Sequence, residues 1–172
     1  GIDWRASMMA NSARDPYWQA AVRREVMDHP SAQAEIEAEC STCHMPMSSF
    51  EEKDDGGLGR VFAHLPIGHA GSEAAALAAD GVSCTVCHQI EGDNFGQPES
   101  FTGGFLIDRE HPWEERRLFG PFAVDDGRAA VMRSAAAFRP TESSHIQQSE
   151  MCATCHTLYT HSLGSGTGVR FP

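Results

Sequence analysis

Apolar side chains recur at helical spacing soon after the start of the chain. In residues 16–28 they lie on one side of a predicted helix: Tyr17, Ala20, Ala21, Val22, Val26 and Met27. Asp15 is a favourable N-cap and Pro16 a favourable first helical residue, because aspartate accepts from the first amides and proline needs no partner for an N–H. Pro30 disfavours helical backbone before it, so the pattern predicts a helix from Pro16 to about Asp28.

The same pattern and its end signals predict further helices over residues 31–44, 72–80, 128–139 and 141–156. Ser31 and Ser72 are the expected N-caps of the first two, and Gly81 is expected to end the second. Pro140 is expected to stop the third helix, and Thr141 to start the last one. The chain should therefore contain several short helices that are joined by turns.

Two stretches lack helical periodicity. Residues 45–60 hold an acidic run and several glycines, so we expect a solvated loop there. Residues 91–127 mix glycines and prolines with large aromatic residues, and we expect short β pairs around the sequences FLID and PFAV. A structureless segment of this length is unusual in a compact domain. The predicted fold class is mainly α with long irregular loops.

Three stretches share the pattern Cys-x-x-Cys-His: CSTCH at 40–44, CTVCH at 84–88 and CATCH at 152–156. They contain all six cysteines of the chain. Two thiols about one helical turn apart can reach the two vinyl groups of one porphyrin, and the next residue can offer an imidazole nitrogen to the iron. The sequence predicts three covalently bound c-type haems. Their attachment residues are Cys40, Cys43 and His44, then Cys84, Cys87 and His88, then Cys152, Cys155 and His156.

Other uses of paired cysteines fit less well. Zinc sites also use Cys-x-x-Cys pairs, but three pairs leave one over, and zinc does not require histidine at the next position. Six cysteines in a secreted chain can form three disulfides, with fifteen possible connectivities. A thioredoxin-like motif is expected near a βαβ pattern, which this sequence lacks. Histidine after all three pairs by chance would be roughly a one-in-ten-thousand event, so the trihaem interpretation is favoured.

The composition is compatible with that interpretation. A length of 172 residues suits one domain, and we predict a single trihaem cytochrome c domain over residues 1–172. The hydrophobic content of 41% is slightly low for a self-sufficient globule, and three porphyrins would supply the missing apolar surface. The irregular residues 91–127 then fit a chain that wraps around a packed haem cluster.

Charge and hydropathy limit the partners and the location. The formal net charge of −11 argues against nucleic acid and against anionic membrane surfaces, and favours a basic partner. No run of 18 apolar residues exists, so no transmembrane helix is predicted. Covalent haem attachment implies export, so we expect a periplasmic or extracellular protein. No signal peptide is present, and Gly1 is interpreted as a processed or engineered start.

Six histidines lie outside the three motifs: His29, His64, His69, His111, His145 and His161. Three irons need at most three of them as second axial ligands. Such a surplus indicates six-coordinate, low-spin iron, as expected for electron transfer. Each of these histidines could equally lie on the surface or contact a haem propionate, and both interpretations stay open.

The order of the motifs resembles the multihaem cytochrome c superfamily that includes hydroxylamine oxidoreductase and octahaem tetrathionate reductase. Those families often carry Trp-x-x-Ser-x-His-Ala ahead of a haem motif, and its histidine is a distal ligand. This chain reads WRASMMA at residues 4–10, with Met9 in the histidine position. Thioether is another common axial ligand of c-type haem and raises its potential. The resemblance implies Met9 as a distal ligand, whereas the alternative is that Met8 and Met9 fill the core.

The segment SSHIQQSEMCATCHTLYTHSL resembles a closing module of the same superfamily. There, a histidine several residues before the haem motif coordinates a neighbouring haem, which implies this role for His145. His161 matches a downstream histidine that would serve haem 3 or a haem on another polypeptide. The segments FAHLP and DGVSCTVCHQI share the resemblance, which places His64 ahead of His69 as a ligand. Relatives usually continue into at least one more Cys-x-x-Cys-His motif.

Three functions are compatible with these observations. The first is an electron-transfer protein that relays electrons between redox partners, such as other cytochromes or a membrane-bound oxidoreductase. The second is a haem-containing reductase that acts on a nitrogen or sulfur oxyanion, which requires an open distal site and acid–base groups. The third is a subunit of a larger complex or haem wire. Catalytic haems of the superfamily often depart from the standard motif, and none of these three does, so electron transfer is favoured over enzyme activity.

Overall fold

The computed structural model describes residues 2–68, 72–161 and 170–171. Within these ranges the chain is mainly helical with a few short strands, which confirms the coarse fold class. The chain forms two compact units: an N-terminal unit, with Gly1–Ser83 as its main part, and a C-terminal unit, with Cys84–Thr160 as its main part. The prediction of a single trihaem domain over residues 1–172 stays a prediction beside this division. In the described ranges no helix has the length and apolar character needed to cross a bilayer.

The N-terminal unit consists of short helices: α1 (Ile2–Arg5), α2 (Pro16–Asp28), α3 (Gln33–His44), α4 (Pro46–Asp54) and α5 (Glu73–Ala79). Three 3-10 helices join them: Met9–Arg14, Pro30–Ala32 and Phe62–His64. Apolar side chains from several of these elements form one core: Ala13, Trp18, Val22, Ile36, Met45, Val61 and Ala78. The first Cys-x-x-Cys-His motif lies at the end of α3, beside this core.

Helix α2 has the predicted bounds. The Asp15 side chain accepts a hydrogen bond from the Tyr17 amide at 2.9 Å, and Pro16 occupies the first helical position. The helix ends before Pro30, where the His29 amide still donates to the Glu25 carbonyl at 2.9 Å. The local end signals were sufficient here, because the cap and the proline restrict the backbone without help from distant residues.

The predicted N-cap of α3 is wrong. Ser31 lies inside the 3-10 helix Pro30–Ala32, and α3 begins at Gln33 without a capping side chain at its N-terminus. The fixed φ angle of Pro30 starts a tight turn one step earlier than a serine cap would. The helix still ends at His44, as predicted, so the error leaves the position of the motif unchanged.

The predicted loop over residues 45–60 is also wrong, because α4 fills its first half. Pro46 is at the first helical position of α4, where its fixed φ is favourable. Met45, Ser48 and Ser49 are buried, and the two serines are small enough to let the helix pack closely. Tertiary packing therefore makes a helix of a segment whose acidic residues pointed to a loop.

Helix α5 follows its predicted signals. The Ser72 hydroxyl accepts from the Ala75 amide at 3.1 Å, and the helix ends just before Gly81. The next residue, Val82, donates its amide to the Met9 carbonyl at 3.1 Å and accepts from the indole of Trp4 at 2.9 Å. These bonds hold the end of the unit against its N-terminal segment.

The C-terminal unit has three helices in its described part: α6 (Cys84–Gln89), α7 (Asp126–Ala136) and α8 (Ser149–His156). Strand β1 (Ile90–Glu91) is antiparallel to β2 (Leu106–Ile107), and β3 (Arg117–Gly120) is parallel to β4 (Arg139–Glu142). Short 3-10 helices cover Pro98–Ser100, Trp113–Glu115 and Ser144–Gln147, and the last strands are β5 (Thr160–His161) and β6 (Arg170–Phe171). The other two motifs occupy α6 and α8.

The expected β pair around FLID is confirmed by β2, but the one around PFAV is wrong. The strand lies just before it, in β3, and stops at Gly120. Pro121 has no N–H for a strand ladder. Phe119 is buried with 4% exposure, whereas Phe122 is 76% exposed, so burial places the strand on the earlier phenylalanine.

The last two predicted helices are shorter than expected. Helix α7 spans Asp126–Ala136 and ends with Ala137 in the left-handed region at φ 65°, so Pro140 lies in β4 and does not stop it. Thr141 also lies in β4, and α8 begins only at Ser149. Pairing of β4 with β3 fixes this stretch as extended chain, and a local helix signal could not reveal that distant partner.

Candidate cofactor sites

Each of the three motifs lies on a helix, and this places its two cysteines on one helical face. The first ends α3, the second fills most of α6, and the third ends α8. Residues three apart on a helix are neighbours, so both thiols of a pair point to the same side. None of the six cysteines forms a disulfide, and each is half-buried or exposed. The thiols are therefore arranged as a two-point attachment requires.

The first motif has a half-buried thiol beside acidic side chains. Cys40 packs against the core of the N-terminal unit. Its burial, together with the charges of Glu39, Glu25 and Glu37, raises the pKa of the Cys40 thiol to about 11. This thiol stays neutral at physiological pH, which makes it a poor metal ligand as it stands, because metals bind the thiolate.

The histidine of the first motif is held by two other residues. The Ser12 hydroxyl donates to the His44 carbonyl at 2.8 Å, and the Ser12 carbonyl lies 3.4 Å from His44 Nδ1. The ring of Trp18 stacks on the His44 ring, with centroids 4.5 Å apart and an angle of 6° between the planes. With Nδ1 directed at a carbonyl, Nε2 is the nitrogen that would bind iron.

The histidine of the second motif has the same kind of carbonyl partner. His88 Nδ1 lies 2.5 Å from the carbonyl oxygen of Phe119, which is in β3. A carbonyl can only accept, so Nδ1 carries the proton and Nε2 has the lone pair. Metal-binding histidines almost always donate their other N–H in this way, which fixes the tautomer and the ring orientation.

Backbone hydrogen bonds connect the third motif to the loop at residues 102–103. The amide of Thr102 donates to the Thr157 carbonyl at 2.9 Å, and the amide of Gly103 to the Thr154 carbonyl at 2.7 Å. These bonds satisfy carbonyls at the end of α8, and the Thr154 side chain is buried. His156 is exposed, so its ring is accessible to a cofactor.

Within the C-terminal unit, a cysteine of the second motif is influenced by both cysteines of the third. Burial, and to a smaller extent the neighbouring thiols Cys155, Cys152 and Cys84, raise the pKa of the Cys87 thiol to about 11. Cys87 of α6 therefore lies within electrostatic range of Cys152 and Cys155 of α8. Even so, no three histidine, cysteine or acidic side chains in the described ranges are grouped as a metal site. In the described ranges the two cysteine pairs therefore do not form a shared four-thiolate cage.

Met9, an expected distal ligand, begins the 3-10 helix Met9–Arg14. Its side chain is 42% exposed, and its carbonyl accepts from the Val82 amide. Ser12, which binds the backbone of His44, follows three residues later on the same 3-10 helix. Met8 is 76% exposed, so neither residue fills the core.

His64, another expected ligand, is buried in an ionic cluster. Its exposure is 7%, and its Nε2 lies 3.2 Å from Glu52 Oε1. The same carboxylate accepts from Arg60 through Nε at 2.9 Å and through a terminal nitrogen at 2.7 Å. In this arrangement the His64 nitrogen has a carboxylate partner, and binding of iron would require it to leave Glu52.

His145 lies beside the second motif and has partners at both ring nitrogens. Nε2 is 2.8 Å from the Ile90 carbonyl, and Nδ1 is 2.6 Å from the Ser143 hydroxyl. The carbonyl requires a proton on Nε2, so Nδ1 accepts from the hydroxyl. The ring meets Phe119 and Phe95 edge-on, with centroids 4.6 Å and 5.5 Å away. Iron binding through Nε2 would replace the bond to Ile90.

The remaining histidines are spread over the chain. His111 is exposed and pairs with Asp108 at 2.8 Å. Partial burial of the Asp108 carboxyl raises its pKa. Hydrogen bonds from the backbone amides of Glu110 and His111 and from the His111 ring outweigh this, so the pKa of Asp108 is lowered. His29 is half-buried at the end of α2. His69 and the side chain of His161 lie outside the described residues.

Three residues that contact the motif histidines were not predicted from the sequence: Ser12, Trp18 and Phe119. Two of them act through backbone carbonyls, which every residue has, so the residue type does not indicate this role. Trp18 did carry a signal, because it lies four residues before the buried Val22 and so on the same helical face.

No family model, curated protein or solved structure matches the chain. The donor set characterises the three sites. Paired thiols on one helical face and the carbonyl-bound Nδ1 atoms of His44 and His88 both fit covalently attached haem.

Proposed function

We propose that this protein is an exported trihaem c-type cytochrome of the multihaem superfamily, which relays electrons between redox partners. Cys40 and Cys43 would tether haem 1, with His44 as its proximal ligand. Haem 2 would bind in the same way to the motif at 84–88, and haem 3 to the motif at 152–156. A bound c-type haem supplies an iron that accepts and releases one electron.

The observation that supports a relay most strongly is that Cys87 of α6 lies within electrostatic range of both cysteines of α8. Electrons pass efficiently only between nearby centres, and Cys152 and Cys155 are close enough to raise the pKa of Cys87. Two cofactors attached to these thiols would therefore be neighbours within one compact unit. An isolated haem would serve a reaction at its iron equally well, but it would not form a relay.

The chain itself would tether the cofactors, orient their ligands and limit water. The Ser12 and Phe119 carbonyls face the Nδ1 atoms of His44 and His88, so Nε2 of each ring would be the nitrogen that binds iron. Met9, His64, His145 and His161 stay the proposed distal ligands. Of these, His64 and His145 would exchange a protein partner for iron, whereas the partly exposed Met9 would bind with less rearrangement.

The proposed location and partners follow from the covalent cofactor and from the charge. Attachment of haem through thioethers implies a periplasmic or extracellular site. The net charge of −11 favours a redox partner with a basic docking surface, for which attraction would speed encounter at low ionic strength. Assembly into a larger haem-containing complex belongs to the same proposal.

Absorption spectroscopy with a potentiometric titration tests the function. An electron-transfer protein should show low-spin bands from all haems in both redox states, and the reduced protein should not bind carbon monoxide. A high-spin component together with carbon monoxide binding would reveal an open iron. That result would contradict the relay and support a reductase.

A further inference from the structure

Trp18 is a buried aromatic residue in contact with the histidine of the first motif. Its exposure is 8%, and its ring lies parallel to the His44 ring at 4.5 Å. A parallel stack at this distance covers one face of the imidazole and keeps water from it. Among the described residues, no aromatic ring stacks in parallel on His88 or His156, so this arrangement distinguishes the first site.

The surrounding chain holds Trp18 firmly in place. It is in the first turn of α2, whose start is fixed by the Asp15 cap at 2.9 Å. The Gln19 side chain donates to the Ala13 carbonyl at 2.8 Å, and Ala13 is fully buried. The stretch just before α2 and its first turn are thus joined by side-chain bonds, and the indole is packed in the core of this unit.

Ser12 holds the same imidazole from its edge. Its carbonyl faces His44 Nδ1, and its hydroxyl binds the His44 carbonyl. The ring of His44 is therefore fixed in two directions: by a carbonyl in its plane and by the indole above its face. Rotation of the ring about the axis through Nε2 would lose both contacts.

We propose that Trp18 is a positioning residue that fixes the ring plane of His44 and shields it from water, and so raises the potential of the iron that His44 would bind. This inference rests on the proposed function, since it requires iron at His44. The direction follows from charge: ferric iron with its ligands carries one more positive charge than ferrous iron. Water near the ligand stabilises that charge, so exclusion of water favours the reduced state.

The test compares holoprotein variants at Trp18. Trp18→Leu removes the ring plane, Trp18→Phe retains a smaller ring, and Trp18→Met fills volume without a plane. Tyr17→Leu is the matched control, because Tyr17 is the adjacent residue of α2 and is 83% exposed. Each purified variant is first checked for three haems by mass, and then titrated potentiometrically and measured by electron paramagnetic resonance.

We expect Trp18→Leu and Trp18→Met to lower one of the three potentials and to leave the other two unchanged. The expected change is about tenfold in the one-electron equilibrium constant, as for other partners of metal ligands, which corresponds to about 59 mV. The g values of one low-spin iron should change with it. Trp18→Phe should keep the potential and the g values close to those of the wild type, and Tyr17→Leu should change neither.

Several outcomes would overturn the inference. Unchanged potentials and g values in Trp18→Leu or Trp18→Met would do so, as would equal shifts at all three haems. A Trp18→Phe variant as altered as Trp18→Met would show that an aromatic plane at this position does not set the potential. If Trp18→Leu does not fold, Trp18→Met and Trp18→Phe decide the question between them. A wild-type protein without three haems would instead contradict the proposed function itself.

Discussion

Gly81 is the residue whose lack of a side chain most directly shapes the first site. Its φ angle is +59°, in the left-handed region that favours glycine. A Cβ atom there would lie 2.7 Å from the Ala10 carbonyl oxygen and 3.0 Å from the Ser12 hydroxyl. Because that hydroxyl binds the His44 carbonyl, the glycine allows two distant segments to meet beside the motif histidine.

The structure predicts that Gly81→Ala destabilises the protein. The left-handed backbone costs an alanine about 1–2 kcal/mol, and the contact with the Ala10 carbonyl should add to this. Gly56→Ala is the matched control: its φ is +80°, but a Cβ there would meet no atom within 4 Å. Urea unfolding should give the larger loss of free energy for Gly81→Ala. Equal losses would mean that the Ala10–Ser12 segment moves away at no cost.

Glu37 is a buried carboxylate on α3 that fixes the following loop. Its Oε2 accepts from the amides of Val61 at 2.8 Å and Phe62 at 3.0 Å, and its Oε1 accepts from Gln33 at 2.7 Å. Burial is the largest single influence and raises the pKa, but these hydrogen bonds and the charge of Arg60 outweigh it, so the pKa of Glu37 lies below its usual value.

This lowered pKa predicts an acid dependence of stability. A carboxyl with a lowered folded-state pKa stabilises the protein above its unfolded-state pKa, and the contribution is lost as the pH falls through the folded-state value. Glu37→Gln should cost about 1.5–3 kcal/mol at neutral pH, because two buried amides lose a charged acceptor. The variant should approach the wild type in stability as the pH falls below about 4.5. A gap between the two that is independent of pH would contradict this account.

At the residue scale, the sequence identified the cysteines and histidines of the motifs but not the groups that orient them. Cys-x-x-Cys-His is a local pattern, so its residues can be read from the chain directly. The partners of His44 and His88 come from about 30 positions away, at Ser12 and Phe119, and they act through carbonyls. Only the folded backbone reveals such partners.

At the scale of elements, the N-cap of α2 has a role beyond its helix. Asp15 starts the helix that carries Trp18, and α2 buries both Trp18 and Val22 in the core. Asp125 caps α7 in the same way, with its side chain bound to the Arg128 amide at 3.0 Å. Helix α7 has no buried residue among its 11, so the two caps differ in what depends on them.

We therefore predict different effects for removal of the two caps. Asp15→Ala should lower the free energy of unfolding by about 1 kcal/mol, because the helix it starts contributes to the core. Asp125→Ala should fray α7 with little change in global unfolding, since local opening of an exposed helix costs the rest of the fold little. Chemical unfolding measures the global loss for each variant, and hydrogen exchange measures the local opening of α7. Comparable global losses would show that α7 is more tightly integrated than its exposure indicates.

Elements with local end signals were predictable, and elements that depend on packing were not. Helices α2 and α5 follow from Asp15 and Ser72, whose side chains cap their own segments. Helix α4 was not predicted, because its acidic residues are typical of a loop. Its serines are buried by tertiary packing, which the sequence alone does not reveal. The parallel pairing of β3 with β4 joins residues about 22 positions apart and depends on tertiary structure.

At the scale of the whole molecule, the three motifs are divided between the two units. The N-terminal unit contains the first motif, beside an apolar core that includes Trp18. The C-terminal unit contains the other two, with Cys87 near Cys152 and Cys155. The number of motifs could be read from the sequence, but their grouping as one and two could not, because it depends on how residues 91–151 fold back.

The central claim is that all six cysteines bind three haems, and intact mass under denaturing conditions tests it most directly. The protein is produced with export and with cytochrome c maturation, then unfolded so that only covalent groups remain. We expect the mass of the polypeptide plus three haems and no free thiol. The variant Cys152→Ala/Cys155→Ala should retain two haems. A wild-type mass with fewer than three haems, reactive thiols, or bound zinc in their place would contradict the account.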